Sequence, residues 1–164
     1  MNRRTFITTC VSSLFFPSLN ALAKDDLVSI WNVVEDIQDI LFPKTENMPS
    51  AKMFNATFYL IKNIYNEHFD KDDFKIITEG TLEFKRDFPD FSKQTQDTKY
   101  HTLEIASENR YYEQWLSILI YYTIEAMMSD PIYGGNTNEI GWISTMHVSG
   151  QPQPILTYGK KHEV

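Results

Sequence analysis

The chain is poor in cysteine, in basic residues and in glycine outside its C-terminal part, and each shortage excludes a class of site. Its 164 residues include one cysteine, Cys10, so it can form neither an internal disulfide, nor a thiolate metal site, nor a haem-attachment motif. Acidic residues outnumber Lys and Arg by 22 to 15, which gives a net charge of −7. Binding to nucleic acid or to an anionic membrane surface needs the opposite sign, so neither is expected.

Motifs that carry cofactor or nucleophile chemistry are also missing from the sequence. There is no GxGxxG, no phosphate-binding glycine loop and no GxSxG. The histidines are scattered without the spacing of a metal site, and a surface or capping role is favoured for each of them. They are His68, His101, His147 and His162. We therefore expect no catalytic, cofactor-binding or metal-binding residue on this chain.

What is present begins with a leader: residues 1–23 predict a twin-arginine export signal. Arg3 and Arg4 form a charged pair, and Phe6 follows at the position that such signals favour. That export route carries proteins that are already folded, often with a cofactor or a partner bound. A chain with no evident cofactor site has little need of the route for itself, which indicates that a partner travels with it.

The end of the leader predicts cleavage. Residues 5–23 carry no charge, and Ala21 and Ala23 supply the small-x-small pattern of a cleavage site. An uncleaved membrane anchor is the alternative, since an uncharged run of this length could just span a bilayer. Pro17 and Asn20 weaken the run as a membrane helix, so cleavage is the favoured interpretation.

Apolar spacing after the leader predicts an all-α fold, a compact bundle of about five helices in a domain over residues 24–129. Asp25 or Asp26 is placed to cap the first helix, and Gly80 weakens the third. The last helix is the most hydrophobic and is predicted to be central. The predicted helices cover 27–41, about 50–69, about 72–88, about 100–107 and about 109–129.

Residues 130–164 differ in character, because they hold all but one of the glycines and show little helical period. A tail this long without elements of its own is uncommon unless it has a function, and its aromatic residues argue against a plain linker. We predict an irregular segment that wraps a partner subunit. A helix C-terminus folded back on the core is the alternative, and composition alone favours it.

The segment opens with the motif Asp130-Pro131-Ile132-Tyr133-Gly134-Gly135-Asn136, and Gly141-Trp142 follows. This motif resembles the signature of the gluconate 2-dehydrogenase subunit 3 family. The family has Gly where Ala126 and Ser50 stand here, and residues 65–107 match only in helical character. The resemblance also includes the twin-arginine leader and the turn from Ile40-Leu41-Phe42-Pro43 to Pro49-Ser50-Ala51. The signature residues are Asp130, Pro131, Tyr133, Gly134, Gly135, Asn136, Gly141 and Trp142.

The resemblance implies a non-catalytic small subunit of a periplasmic FAD-dependent sugar or sugar-acid dehydrogenase. In that family a large flavoprotein subunit holds the FAD, a c-type cytochrome is often a third subunit, and the small subunit carries the export signal to the twin-arginine translocase. The complex would lie at the outer face of the cytoplasmic membrane. The signature residues would contact the large subunit.

One expected consequence is that Trp142→Ala costs about 2–4 kcal/mol of association if Trp142 is a binding hot spot. A transient assembly chaperone that releases the flavoprotein after maturation is the main alternative to a permanent subunit. An enzyme in its own right is disfavoured by the missing motifs.

Overall fold

The computed structural model of the chain describes residues 24–148, and all regular structure within them is helical. This confirms the all-α prediction, and five helices form the bundle. They are α1 (Lys24–Leu41), α2 (Ala56–Ile64), α3 (Lys71–Asp87), α4 (Gln96–Ser107) and α5 (Arg110–Met128), and a short α6 (Ile140–Thr145) follows. The predicted leader residues Arg3, Arg4, Phe6, Ala21 and Ala23 lie outside the described residues, as does the segment after 148.

Helix α5 is the centre of the fold, as its hydrophobicity predicts. It contacts α1, α2, α3, α4 and α6. Trp115 and Leu119 are fully buried on it, and Tyr122 is nearly so. None of the described helices is long and apolar enough to span a membrane. An apolar helix surrounded by amphipathic partners is the expected form of a small helical core.

The helix ends are set by local side-chain interactions, which the predicted bounds capture only in part. The Asp70 carboxylate accepts hydrogen bonds from two backbone N–H groups of α3, and Asp72 and Asp73 lie in its first turn, as predicted. Helix α1 is described from Lys24 onward, and Asp25 and Asp26 lie within the described helix.

Two helices differ in length from their predictions. Helix α2 is shorter, because turns occupy 51–55 and Asn55 adopts a left-handed conformation (φ 58°) immediately before it. Helix α4 begins four residues before the predicted Tyr100, because the Thr95 side chain caps it by accepting from the N–H of Thr98. The polar residues after the cap gave no apolar periodicity that could show this first turn.

A buried polar contact ties three helices together. The Gln38 side chain of α1 is fully buried, and its amide donates to the Thr123 hydroxyl of α5 over 2.8 Å. The Thr57 hydroxyl of α2 donates to the Gln38 carbonyl over 2.7 Å. Because each polar group is paired, the contact fixes the relative register of the helices without leaving a buried group unsatisfied.

Gly80, which weakens α3 in isolation, is explained by the helix that α3 packs against. A Cβ at Gly80 would lie 2.5 Å from Cδ1 and 2.7 Å from Cγ of Trp115. The indole is fully buried and stacks near Phe84, with ring centroids 5.1 Å apart. Glycine therefore makes room for a buried tryptophan ring of the core.

We expect Gly80→Ala to destabilise the protein by about 1–2 kcal/mol, even though alanine is the better helix former. The propensity gain of roughly 1 kcal/mol is outweighed by the overpacking of a buried ring, which costs about 1–3 kcal/mol. Urea denaturation measures the change. Glu79→Ala, at the exposed neighbouring position, is the control and should stay within about 0.5 kcal/mol of the wild type.

The predicted irregular tail is corrected over its first part. Residues 130–145 form two 3₁₀ turns, Pro131–Tyr133 and Thr137–Glu139, and the helix α6, which packs against α5. The short elements have no apolar period of their own, so the sequence pattern could not show them. Up to residue 145 the segment is thus folded onto its own bundle.

Candidate partner-binding site

Residues 129–145 close the C-terminal end of α5. A helix ends with four carbonyls that have no partner inside it, and α5 has no basic residue in its last turn to neutralise them. The Ser129 hydroxyl donates to the carbonyl of Ala126 over 3.2 Å, and the Trp142 indole N–H donates to that of Met128 over 2.7 Å. The Asn136 amide donates to the next carbonyl, of Ser129, over 3.0 Å. The segment is therefore an extended helix cap, which we call the α5 cap.

Two glycines of the motif allow the α5 cap to approach the helix backbone. A Cβ at Gly135 would lie 2.4 Å from the carbonyl oxygen of Ala126. A Cβ at Gly141 would lie 2.1 Å from that of Met127. Gly134 has a different task, since its φ of 102° is the left-handed conformation that ends the first 3₁₀ turn.

Asn136 is the internal brace of the α5 cap. It is fully buried and left-handed (φ 44°), a conformation that asparagine tolerates better than most residues. Besides its bond to Ser129, its side-chain oxygen accepts from the N–H of Gly141 over 2.8 Å. One side chain thus joins the end of α5 to the start of α6.

The α5 cap is also tied to α2. The Lys62 ammonium donates to the carbonyl of Ile132 over 2.6 Å, and the Asn55 amide donates to the Thr137 hydroxyl over 2.5 Å. Asp130 caps the first 3₁₀ turn by accepting from the N–H of Ile132 over 3.0 Å. Helix α2 and the end of α5 therefore hold the segment from two sides.

The structure brings the signature residues together but turns them in different directions. Gly135, Asn136, Gly141 and Trp142 are buried within the chain, whereas Asp130, Pro131, Tyr133 and Gly134 are half-buried at its surface. The Trp142 side chain is only 6% exposed. It is thus used inside the α5 cap, which departs from the expectation that it inserts into a partner.

Comparison with known proteins found no match. No family model, no curated protein and no solved structure matches this chain. The site is therefore interpreted from its own geometry.

An open groove of about 650 Å³ lies beside the half-buried part of the α5 cap. Its walls come from α2, α5, the turn at 66–70 and the start of the α5 cap. Side chains from all four contribute, but only the start of the α5 cap was predicted from the sequence to form part of a site. The residues used below are Tyr59, Phe69, Tyr121, Tyr122, Glu125, Asp130 and Tyr133.

One signal in the sequence could have indicated the groove. Tyr121 and Glu125 are four residues apart on a helix that is otherwise strongly apolar, so they share one face. Tyr59 and Phe69 have no such signal, because they reach the groove through the packing of α2 and the turn after it.

The Glu125 carboxylate is the half-buried charge of the groove. Burial raises its pKa, and the hydrogen bond that it accepts from the Tyr59 hydroxyl opposes this in part. Burial and the Glu125 charge in turn raise the pKa of Tyr59, so this hydroxyl stays a neutral donor. Tyr122 donates to the Asp73 carboxylate over 2.7 Å. Both tyrosines are thus held in fixed orientations by acids.

The raised pKa of Glu125 gives a prediction about pH. The ionised form is less favourable in the folded than in the unfolded state, so its contribution to the free energy of unfolding falls as pH rises through the raised pKa. Glutamine does not titrate. We therefore expect Glu125→Gln to gain stability relative to the wild type between about pH 3.5 and pH 7, around the ordinary glutamate value of roughly 4.3.

Thermal melts of both proteins at the two pH values measure this gain. Glu113→Gln, at an exposed position of the same helix, is the control for the loss of one negative charge from α5. An equal difference between Glu125→Gln and the wild type at both pH values would contradict the assignment.

Large apolar side chains are exposed near the groove and the α5 cap. Tyr121 is 60% exposed and Ile143 is 70% exposed. Scattered apolar residues are common on protein surfaces, but these lie on α5, α6 and the residues just after α6, which pack together or adjoin. The exposed set is Tyr121, Ile124, Ile143, Met146 and Val148, which we call the apolar face.

Proposed function

We propose that this chain is the non-catalytic small subunit of a periplasmic FAD-dependent dehydrogenase of the gluconate 2-dehydrogenase type. The FAD belongs to the large subunit, and a c-type cytochrome is a further partner in the family that the sequence resembles. The proposed subunit supports export through the twin-arginine translocase, assembly and stability of the flavoprotein. It performs no chemistry itself.

The observation that carries the proposal is the two-sided character of the α5 cap. The segment that resembles the family signature has its glycines and Asn136 turned inward, where each has a defined structural task. The apolar face adjoins the same segment and is exposed to solvent. A rigid turn beside exposed aromatic and aliphatic side chains is typical of a protein interface.

The partner contacts are accordingly assigned to the surface side of the motif. Asp130, Pro131, Tyr133 and Gly134 would touch the large subunit together with the apolar face. Gly135, Asn136, Gly141 and Trp142 would act indirectly, by holding that surface in shape. This assignment separates binding variants from folding variants, which the sequence alone does not.

The proposal is tested by purifying the chain, tagged after residue 164, from periplasm. The expected result is a stoichiometric flavoprotein with an FAD spectrum, which is absent from the periplasm when Arg3-Arg4 is changed to Lys-Lys. A chain recovered alone, with the flavoprotein exported normally without it, would sink the proposal. A transient chaperone would bind the flavoprotein before export but would be missing from the mature complex.

Charge insertion into the apolar face tests the site itself. We expect Ile143→Asp to lower recovery of the flavoprotein at least ten-fold, which corresponds to about 1.4 kcal/mol of association. Ile105→Asp is the matched control, because Ile105 is also exposed but lies on α4. Equal losses from both variants would show that the face has no special role.

A further inference from the structure

The groove beside the α5 cap has an unusual lining for a surface cleft. Its side chains include five aromatic rings and three acids, Asp70, Glu125 and Asp130, and none of the lining residues is Lys or Arg. Cavities that bind apolar ligands have few charges, and anion sites have positive ones. The lining instead combines π faces with negative charge, which is the chemistry that attracts a cation.

The aromatic rings are arranged at right angles and in stacks, and two of them are fixed by acids. Phe69 stacks on Tyr122 with ring centroids 5.0 Å apart, and Tyr121 meets Tyr122 edge-on at 5.0 Å. Tyr122 and Tyr59 donate their hydroxyls to Asp73 and Glu125. Ordered rings of this kind lose little conformational freedom when a ligand binds.

The carboxylate of Glu125 is the acid of the groove that would pair with a bound cation. It stands four residues after Tyr121 on α5, so the two side chains share one face of the helix. Tyr59 donates one hydrogen bond to it, and a carboxylate has lone pairs for further donors. A cation that also donates hydrogen bonds would neutralise a charge that burial makes unfavourable.

The chain builds a comparable arrangement for one of its own cations. The Lys99 ammonium lies 2.7 Å from the Asp36 carboxylate and 5.4 Å from the centre of the Phe91 ring. That unit contains its cation within the fold. The groove has the same two components, acid and aromatic ring, on the surface.

We propose that the groove takes an arginine side chain from the partner subunit. The inference rests on the proposed function, because it names what the large subunit inserts at this face. A guanidinium is flat, stacks on tyrosine and offers a fork of donors to a carboxylate, whereas an ammonium is a strongly hydrated point charge. The groove also adjoins the apolar face through Tyr121, so an inserted arginine would lie within one continuous interface.

The direct test uses the mature chain alone. Acetyl-arginine-methylamide is titrated while amide and tyrosine ring signals are followed by NMR, with acetyl-citrulline-methylamide as the neutral probe of equal shape. We expect saturable shifts of Tyr121, Tyr122 and Glu125 signals with arginine, and at least three-fold smaller shifts with citrulline. The shifts should vanish in Glu125→Gln and persist in Glu113→Gln, which removes one charge about 18 Å along the same helix.

Equal shifts with both probes, or unchanged arginine shifts in Glu125→Gln, would overturn the inference. Tighter binding of a lysine probe than of the arginine probe would overturn it as well. Glu125→Gln is expected to fold, since glutamine still accepts from Tyr59, and a cooperative melt at least as stable as that of the wild type confirms that a lost shift is a lost site.

The two proposals fail separately. In the complex, Glu125→Gln should lower flavoprotein recovery about ten-fold and reduce its sensitivity to salt, because a charge pair is screened by ions. If recovery of the flavoprotein is unchanged in Glu125→Gln, the arginine proposal fails while the proposed subunit function stands. If the chain binds the arginine probe but no flavoprotein is recovered with it, the proposed subunit function fails while the groove still binds a guanidinium.

Discussion

Trp142→Ala is expected to lower the free energy of unfolding by about 3–5 kcal/mol, the usual cost of removing a large buried aromatic side chain. The indole is 6% exposed, and its N–H donates to the carbonyl of Met128 over 2.7 Å. The substitution therefore leaves both a cavity and an unpaired carbonyl at the end of α5. Urea denaturation and amide hydrogen exchange over residues 126–145 measure the loss.

The result also decides how a loss of partner binding should be interpreted. A Trp142→Ala chain that fails to bind has lost the α5 cap, so reduced recovery of the flavoprotein would not show a contact with Trp142. Ile143→Ala is the matched control, because its side chain is 70% exposed, and it should change stability by less than about 0.5 kcal/mol. Equal effects of the two substitutions would refute the buried position of the indole.

The second large effect is expected from Gly141→Ala. The added methyl group would lie 2.1 Å from the carbonyl oxygen of Met127 and 2.9 Å from the side-chain oxygen of Asn136. The first contact is to backbone, which cannot rotate away, so α6 must separate from α5. We expect a loss of about 3–5 kcal/mol, or selective opening of residues 130–145 with the bundle intact.

Hydrogen exchange distinguishes global from local loss in Gly141→Ala. Opening of the α5 cap alone would expose amides of 130–145 and leave those of α1 to α4 protected. Glu139→Gly serves as the control in the same segment, since Glu139 has a φ of 59° that glycine adopts without strain. The stability of Glu139→Gly should stay within about 0.5 kcal/mol of the wild type. If Gly141→Ala were as stable as the wild type, the close approach of Gly141 to α5 would be absent.

The bundle could be predicted from sequence because its information is local and periodic. Ile30, Val34 and Ile37 recur at helical spacing on α1, and all are fully buried. Pro43 and Pro89 lie just beyond the ends of α1 and α3, where a proline cannot continue the helix. The last predicted helix, about 109–129, is α5 (Arg110–Met128), and it is the central helix of the bundle as predicted.

The α5 cap could not be predicted in the same way, because its interactions join residues that no periodicity relates. Asn136 is buried by its bonds to Ser129 and Gly141, and nothing in a run of Gly, Asn and Thr shows that the asparagine faces inward. Trp142 was expected to face a partner because the resemblance implies that its segment contacts a second subunit. Its indole N–H instead donates to the carbonyl of Met128.

The groove was missed for a related reason. Tyr59, Phe69 and Tyr121 come from three separate segments, and only the packing of α2 on α5 brings them together. The motif at 130–142 supplies only one wall, through Asp130 and Tyr133. A sequence motif marks a segment that is constrained, but it does not show which of its sides is turned outward.

The α5 cap has a consequence for the order of events during synthesis. Asp130 and Tyr133 line the groove. Their segment is held against α2 by Lys62 and Asn63, which donate to the backbone carbonyls of Ile132 and Tyr133. Asp130 and Tyr133 are translated after all five bundle helices. A nascent chain that has folded its bundle therefore still lacks the surface that we assign to the partner. Under the proposed function, binding would require that translation has passed α6, and association with the large subunit would then report that this part of the chain is complete.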